Sequence, residues 1–202
     1  MKTARLNAFT DGVIAIIITI MVLEFPLPHG TGFEAIKPIV PLLAAYALAF
    51  ANVGLFWNNH HHLMHLVNEV DGRVLWANHA LLFWLSLVPF VIRWIGEGGV
   101  TAGPIAAYGI VLLMAALSYG ILERSIVAVD ADSSDLERAI GKGRKELISL
   151  ILYGSGIALA FVWVWAAIAC FVIVAAIWIV PDRRVEVTLE EKDRDDGGQR
   201  AP

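Results

Sequence analysis

Residues 4–28 read ARLNAFTDGVIAIIITIMVLEFPLP, and this stretch sets an aspartate inside what is otherwise a membrane-spanning helix. Asp11 opens an almost unbroken apolar run. Thr19 sits in the middle of that run, Glu24 at its end and Arg5 just before it. Ionisable groups in a bilayer helix are costly and face a bundle interior or a water-filled path. The first span is therefore expected to carry function as well as anchorage.

The rest of the chain fits a membrane setting. Of 202 residues, 58% are hydrophobic and 17% charged, with a mean hydropathy of +0.68. An average soluble domain carries about 25% charged residues. Several apolar runs match the bilayer thickness, so the class is an all-α polytopic membrane protein. The net charge of -4 averages unlike regions, because the acids gather in the C-terminal tail. The single cysteine, Cys170, lies in an apolar run and is expected to be a buried, inert thiol. No cleavable signal peptide is expected, since the first apolar segment is too long for one.

Six spans are predicted. The first runs from Ala8 to Leu27, the second from Pro38 to His61, the third from Val74 to Ile92 and the fourth from Thr101 to Leu122. Residues 147–180 hold no charge. As a single helix they would reach about 51 Å, against a hydrocarbon core of roughly 30 Å. Two short helices with a turn near Phe161 to Trp165 resolve this, although neither Pro nor Gly marks the turn. Five spans with one long tilted helix is the competing count. Charge decides between them: six spans put 13 of the 15 Lys and Arg on one side, whereas five spans leave no bias. The positive-inside rule then places both termini in the cytoplasm. The predicted organisation is a six-helix transmembrane domain over 1–181 and a charged, disordered cytoplasmic tail over 182–202. A short helix is expected near Ser134 in the intervening cytoplasmic loop.

On a helical period, Arg5, Phe9, Gly12, Ile16, Thr19, Ile20 and Leu23 share one face of the first span. Asp11 lies beside that face and Glu24 at its far end. Taken alone, such an apolar stripe is ordinary helix packing; the polar residues shift the balance toward a pore wall. Arg5 is too far from Asp11 for a tight pair within the helix. Its partners are expected from neighbouring helices or subunits, among them Asn58, His60, His61, Asn78 and His79.

The run RLNAFTDGVIAI resembles the R-x-x-x-F-S-D motif that opens the first helix of the transmembrane protein 175 family. Here it is carried by Arg5, Phe9, Thr10 and Asp11, with Thr10 in place of the usual Ser. The segments FWNNHHHLMH (Trp57, His60, His61), NHALLFWLSLVPF and IVPDRR extend the resemblance across nearly the whole membrane region. It implies a potassium-permeable cation channel of the cell membrane, a homotetramer with first helices around a central pore. It further implies Ile16 as the narrowest point, Ile20 and Leu23 as further constrictions, and Thr19 as the residue linked to potassium preference. Arg5, Phe9, Thr10, Asp11, Trp57, His60, His61 and His79 would form a polar network joining the first helix to the second and third. A ring of Ile16 side chains makes a dry neck that gates by dewetting, not a carbonyl cage, so potassium is expected to be only weakly preferred over sodium. Glu24 at the outer mouth would concentrate cations.

The implied partners are permeant potassium and other monovalent cations, membrane lipid and further copies of the chain, with no cofactor, metal or nucleic acid. The pairs His61/His65 and His62/His65 have the spacing of metal ligands on a helix, yet the family role for His60 and His61 is structural. No catalytic motif is found, so an enzyme is not expected. The alternatives are a proton-coupled or proton-leak transporter using Asp11 and nearby histidines, a membrane metalloenzyme using the histidine cluster, and a non-transporting scaffold.

Overall fold

A computed structural model describes residues 3–28, 30, 32–65, 67, 70–129 and 143–179. All regular structure among them is helical. Helix α1 spans Thr3–Leu23. A 3-10 segment, Phe33–Ile39, runs straight into α2, Val40–His65. Then follow α3 (Gly72–Ser86), α4 (Val88–Gly98), α5 (Ala102–Val129), α6 (Arg144–Leu159) and α7 (Val164–Ile179). Among the described residues these make six helical rods: α1, α2, the α3–α4 pair, α5, α6 and α7. The first four are long and apolar enough to cross a membrane by length and composition, and α6 and α7 have 16 residues each. The expected loop helix near Ser134 and the tail from 182 lie outside the described residues.

Local chemistry accounts for the boundaries. The Asp71 side chain caps α3, accepting from the Arg73 and Val74 backbone N–H groups at 2.9 and 3.0 Å. The third pass breaks at Leu87, because Pro89 sits in the first turn of α4 and cannot donate a backbone hydrogen bond to the turn before it. Sequence reading treated this pass as one rod; the structure makes it a kinked pair. The turn between α6 and α7 comes at 160–163, closed by Val162 N–H to Leu159 O at 3.0 Å and Trp163 N–H to Leu159 O at 2.7 Å. Phe161, Val162, Trp163 and Trp165 are exposed there, as residues of a membrane interface are.

Packing is organised around α5, which lies against α3, α4 and the α6–α7 hairpin. Phe171 of α7 is fully buried at the centre of this contact. A Cβ added at Gly109 of α5 would come within 2.5 Å of its ring, and one at Gly156 of α6 equally close. Both glycines therefore let three helices close on one aromatic side chain. Gly154 has open space around it. Helix α1 packs one face on α2, α3 and α4 and leaves the other uncovered.

Gly109→Leu should lower the melting temperature of the detergent-solubilised protein, by an overpacking penalty of about 1–3 kcal/mol. Gly154→Leu should leave it within error. Equal melting temperatures for the two variants would contradict the clamp on Phe171.

Candidate functional site

The two faces of α1 differ sharply. Leu6, Thr10, Ile14, Ile17 and Met21 are buried against the bundle. The opposite stripe, which holds Arg5, Phe9, Gly12, Ile16, Thr19, Ile20 and Leu23, is exposed along its whole length. Ile16 is 59% exposed and Leu23 75%. Helical periodicity alone produces this separation, since residues three and four apart share a face.

What fixes the rotation of α1 is a buried polar chain. Thr10 Oγ1 accepts a hydrogen bond from Asn78 Nδ2 at 2.9 Å, and Asn78 Oδ1 lies 2.9 Å from His60 Nε2. With the Asn78 amide donating to Thr10, its oxygen is free to accept from the His60 Nε2–H. Thr10, Asn78 and His60 are buried, so α1, α2 and α3 meet through groups that water cannot satisfy. At the start of α1, Thr3 Oγ1 donates to Val67 O at 2.9 Å and ties down that end.

Asp11 sits one residue round from Thr10, at the edge of the exposed stripe. Its Oδ1 accepts from the Trp57 indole N–H at 2.7 Å. The Trp57 ring in turn stacks on His61, with centroids 5.4 Å apart, and His61 Nε2 lies 3.1 Å from His65 Nε2. None of the histidines or asparagines expected to hold Asp11 does so among the described residues; Trp57 takes that place. His79 turns its Nδ1 to the Leu75 carbonyl at 2.7 Å and stacks its ring on Phe9 at 5.4 Å. Arg5 is exposed, with no hydrogen-bond or ion-pair partner among the described residues. The network therefore divides in two: a buried core of Thr10, Asn78 and His60, and a surface line of Asp11, Trp57, His61 and His65. No group of three His, Cys, Asp or Glu among the described residues is placed to hold a metal ion.

Two further features concern the stripe. The Thr19 hydroxyl donates to the Ala15 carbonyl at 2.8 Å, a back-bond that leaves its oxygen lone pairs to point outward. Glu24 pairs with Arg93 of α4 at 3.4 Å, and Arg93 also binds Glu97 at 2.9 Å. No local pattern announces this triad, because Arg93 is remote from Glu24 in the chain and Glu97 reads as a solvated loop acid. One guanidinium between two carboxylates leaves this end of α1 with a weakened negative charge.

Comparison with known proteins agrees with this geometry. Residues 5–89, which contain Thr10, Asp11, Trp57, His60 and Asn78, match the family model described as "Endosomal/lysosomal potassium channel TMEM175". A potassium channel of Chryseobacterium sp. (strain P1-3) is 48% identical over 95% of this chain and the whole of that one. A chicken endosomal/lysosomal proton channel, TMEM175, is 35% identical over 48% of this chain and 22% of its own length. The crystal structure of a lysosomal potassium-selective channel TMEM175 homolog from Chamaesiphon minutus superposes with a TM-score of 0.72 at 24% identity, covering 88% of this chain and 96% of that one.

Removing the acceptor in Thr10→Val strands the buried Asn78 amide and should cost about 1–2 kcal/mol of stability. Thr10→Ser keeps the oxygen and should restore most of it. Melting temperatures of the two variants in detergent check this; equal loss in both would show that the hydroxyl is not the linking group.

Proposed function

The chain belongs to the TMEM175 family, and we propose that its potassium conduction runs through a pore lined by the exposed stripe of α1, contributed by several copies of the chain. It is a multi-pass potassium channel and not an enzyme. The observation that carries the pore assignment is the stripe itself. It holds an arginine, a glycine and a threonine among large aliphatics, and it is the face of α1 that the described helices leave uncovered. One helix cannot enclose a water-filled path, so the stripe needs partner copies. A homotetramer in the cell membrane with cytoplasmic termini is the proposed assembly. Arg5, unpaired among the described residues, is then placed to reach a carboxylate of a neighbouring copy.

In this arrangement Ile16 rings form the dry neck, with Ile20 and Leu23 extending it toward the outer mouth. An ion passes only when the neck is wetted. Thr19 lies on the same face, one turn from Ile16 and beside Ile20. Its proton is engaged by Ala15, so its oxygen offers lone pairs to a partly dehydrated cation. No rigid carbonyl cage is involved, and preference for potassium over sodium is modest. Thr10, Asn78 and His60 act as positioning residues that hold the α1 rotation keeping Ile16 on the axis. Glu24 attracts cations only to the extent that Arg93 leaves it free.

A proton relay through Asp11 and the histidines is the second reading, and the geometry weakens it. The partner of Asp11 is the Trp57 N–H, a donor that accepts no proton.

Reconstitution in planar bilayers under potassium and sodium gradients tests the function. Ohmic unitary currents with a potassium-biased reversal potential are expected; proton-coupled flux without conductance would overturn the reading. Ile16→Ala should raise conductance by opening the neck, and an unchanged conductance would remove Ile16 from the constriction. Thr19→Val should lower the potassium to sodium permeability ratio about fivefold, the equivalent of roughly 1 kcal/mol. An unaltered ratio would reject Thr19 as a selectivity element.

A further inference from the structure

Away from α1, helices α2, α5, α6 and α7 surround a cavity of about 430 Å³. This is within the roughly 300–1,000 Å³ range of small-molecule sites. It lies at the end of the bundle where α5 finishes and α6 begins, with Glu123 and Glu146 at that end. It reaches inward to Asn52 and Tyr153. From Gly143 to Tyr153 the lining follows α6 for about 15 Å, half the hydrocarbon thickness. The walls between are mostly apolar and aromatic, with Phe56, Tyr119 and Trp178 among them.

Three polar groups on this wall have no partner among the described residues. Neither Glu123 nor Glu146 has an ion-pair or hydrogen-bond partner among the described residues. Arg124 also lines the mouth, exposed, and forms no ion pair with either carboxylate. Tyr153 is only 3% exposed, and its hydroxyl has no hydrogen-bond partner among the described residues. That hydroxyl is not sealed in protein either, so it opens on the cavity it lines. The neighbouring polar groups are already engaged: Trp178 Nε1 donates to Ser149 Oγ at 2.9 Å, and Asn52 Nδ2 to Tyr108 Oη at 3.1 Å. Two partly buried carboxylates on an apolar wall are expensive unless a cation meets them.

We infer that this cavity is a binding site for an ammonium amphiphile, with its charged head between Glu123 and Glu146 and one apolar chain along the aromatic wall toward Tyr153. The carboxylates supply charge-assisted hydrogen bonds to the N–H groups. Phe56, Tyr119 and Trp178 offer apolar area and ring faces that suit a cation at the entrance. An anionic amphiphile is repelled by the same pair of acids. The ammonium has two possible sources, a free long-chain amine or the headgroup of phosphatidylethanolamine.

The test is equilibrium binding of radiolabelled dodecylammonium to the full-length protein in phosphatidylcholine nanodiscs, with empty nanodiscs subtracted. One saturable site per subunit is expected, displaced by unlabelled amine and not by dodecanol or dodecanoate. The E123Q/E146Q double variant should weaken binding at least tenfold. Gly120 lines the cavity, and a Cβ there meets nothing within 4 Å, so Gly120→Leu should fill the space and abolish binding with both acids intact. Should the double variant fail to fold, Gly120→Leu decides the matter. Replacing phosphatidylcholine by phosphatidylethanolamine separates the sources. Loss of labelled amine assigns the site to the lipid headgroup; retention assigns it to the free amine; the site stands either way. Purely non-saturable partitioning, equal displacement by dodecanol, or wild-type binding in Gly120→Leu would overturn the proposal.

Discussion

The fold turns on how one helix is held in rotation. Thr10 on α1, Asn78 on α3 and His60 on α2 exchange hydrogen bonds of 2.9 Å in a buried position. A helix rotated by one residue moves every side chain about 100° round its axis. Such a slip would carry Thr10 away from Asn78 and leave buried polar groups without partners. Apolar contacts alone do not prevent it, because Ile14, Ile17 and Ile18 are nearly interchangeable to a greasy neighbour. The polar chain therefore supplies the specificity that the aliphatic surface lacks, and it determines which face of α1 is left uncovered.

This division of labour explains the odd composition of the first span. Its inward face needs one hydroxyl at one depth, and either Ser or Thr meets that need. Its outward face carries bulky aliphatics, a threonine whose proton is already given to Ala15, and an arginine with no partner among the described residues, the set on which the proposed pore draws. Asp11 stands at the seam between the faces, and Trp57 anchors it there. The α5-centred half of the molecule, clamped on Phe171, is the body against which α2, α3 and α4 pack, and those three helices in turn carry α1.

Much of this was legible in the residues. Apolar runs located the passes, and the lopsided distribution of Lys and Arg separated six from five. The same balance placed a turn near Phe161 to Trp165 without any Gly or Pro, and the chain turns at 160–163. The exposed stripe of α1 followed from periodicity. What hydropathy could not resolve was direction within a pass. Val74–Ile92 reads as a uniform apolar rod, yet Pro89 divides it into α3 and α4. Partner choice was harder still. Asp11 was expected to find a histidine or an asparagine, because those are the obvious polar groups nearby in α2 and α3. Thr10 has Asn78 instead, since it is Thr10 and not Asp11 that faces inward, and Asp11 takes the indole at the rim. The Arg93 link to Glu24 joins residues 69 positions apart and leaves no local pattern to read.

A cysteine scan along α1 addresses the central claim directly, with Cys170→Ser removing the chain's single native thiol. Current through reconstituted channels is recorded while a membrane-impermeant cationic thiol reagent is applied from each side. Cysteines at 12, 16, 19, 20 and 23 should be modified with a loss of current, while those at 14, 17 and 21 should be silent. Modification of the second set, or silence of the first, would contradict a pore built on the exposed face of α1.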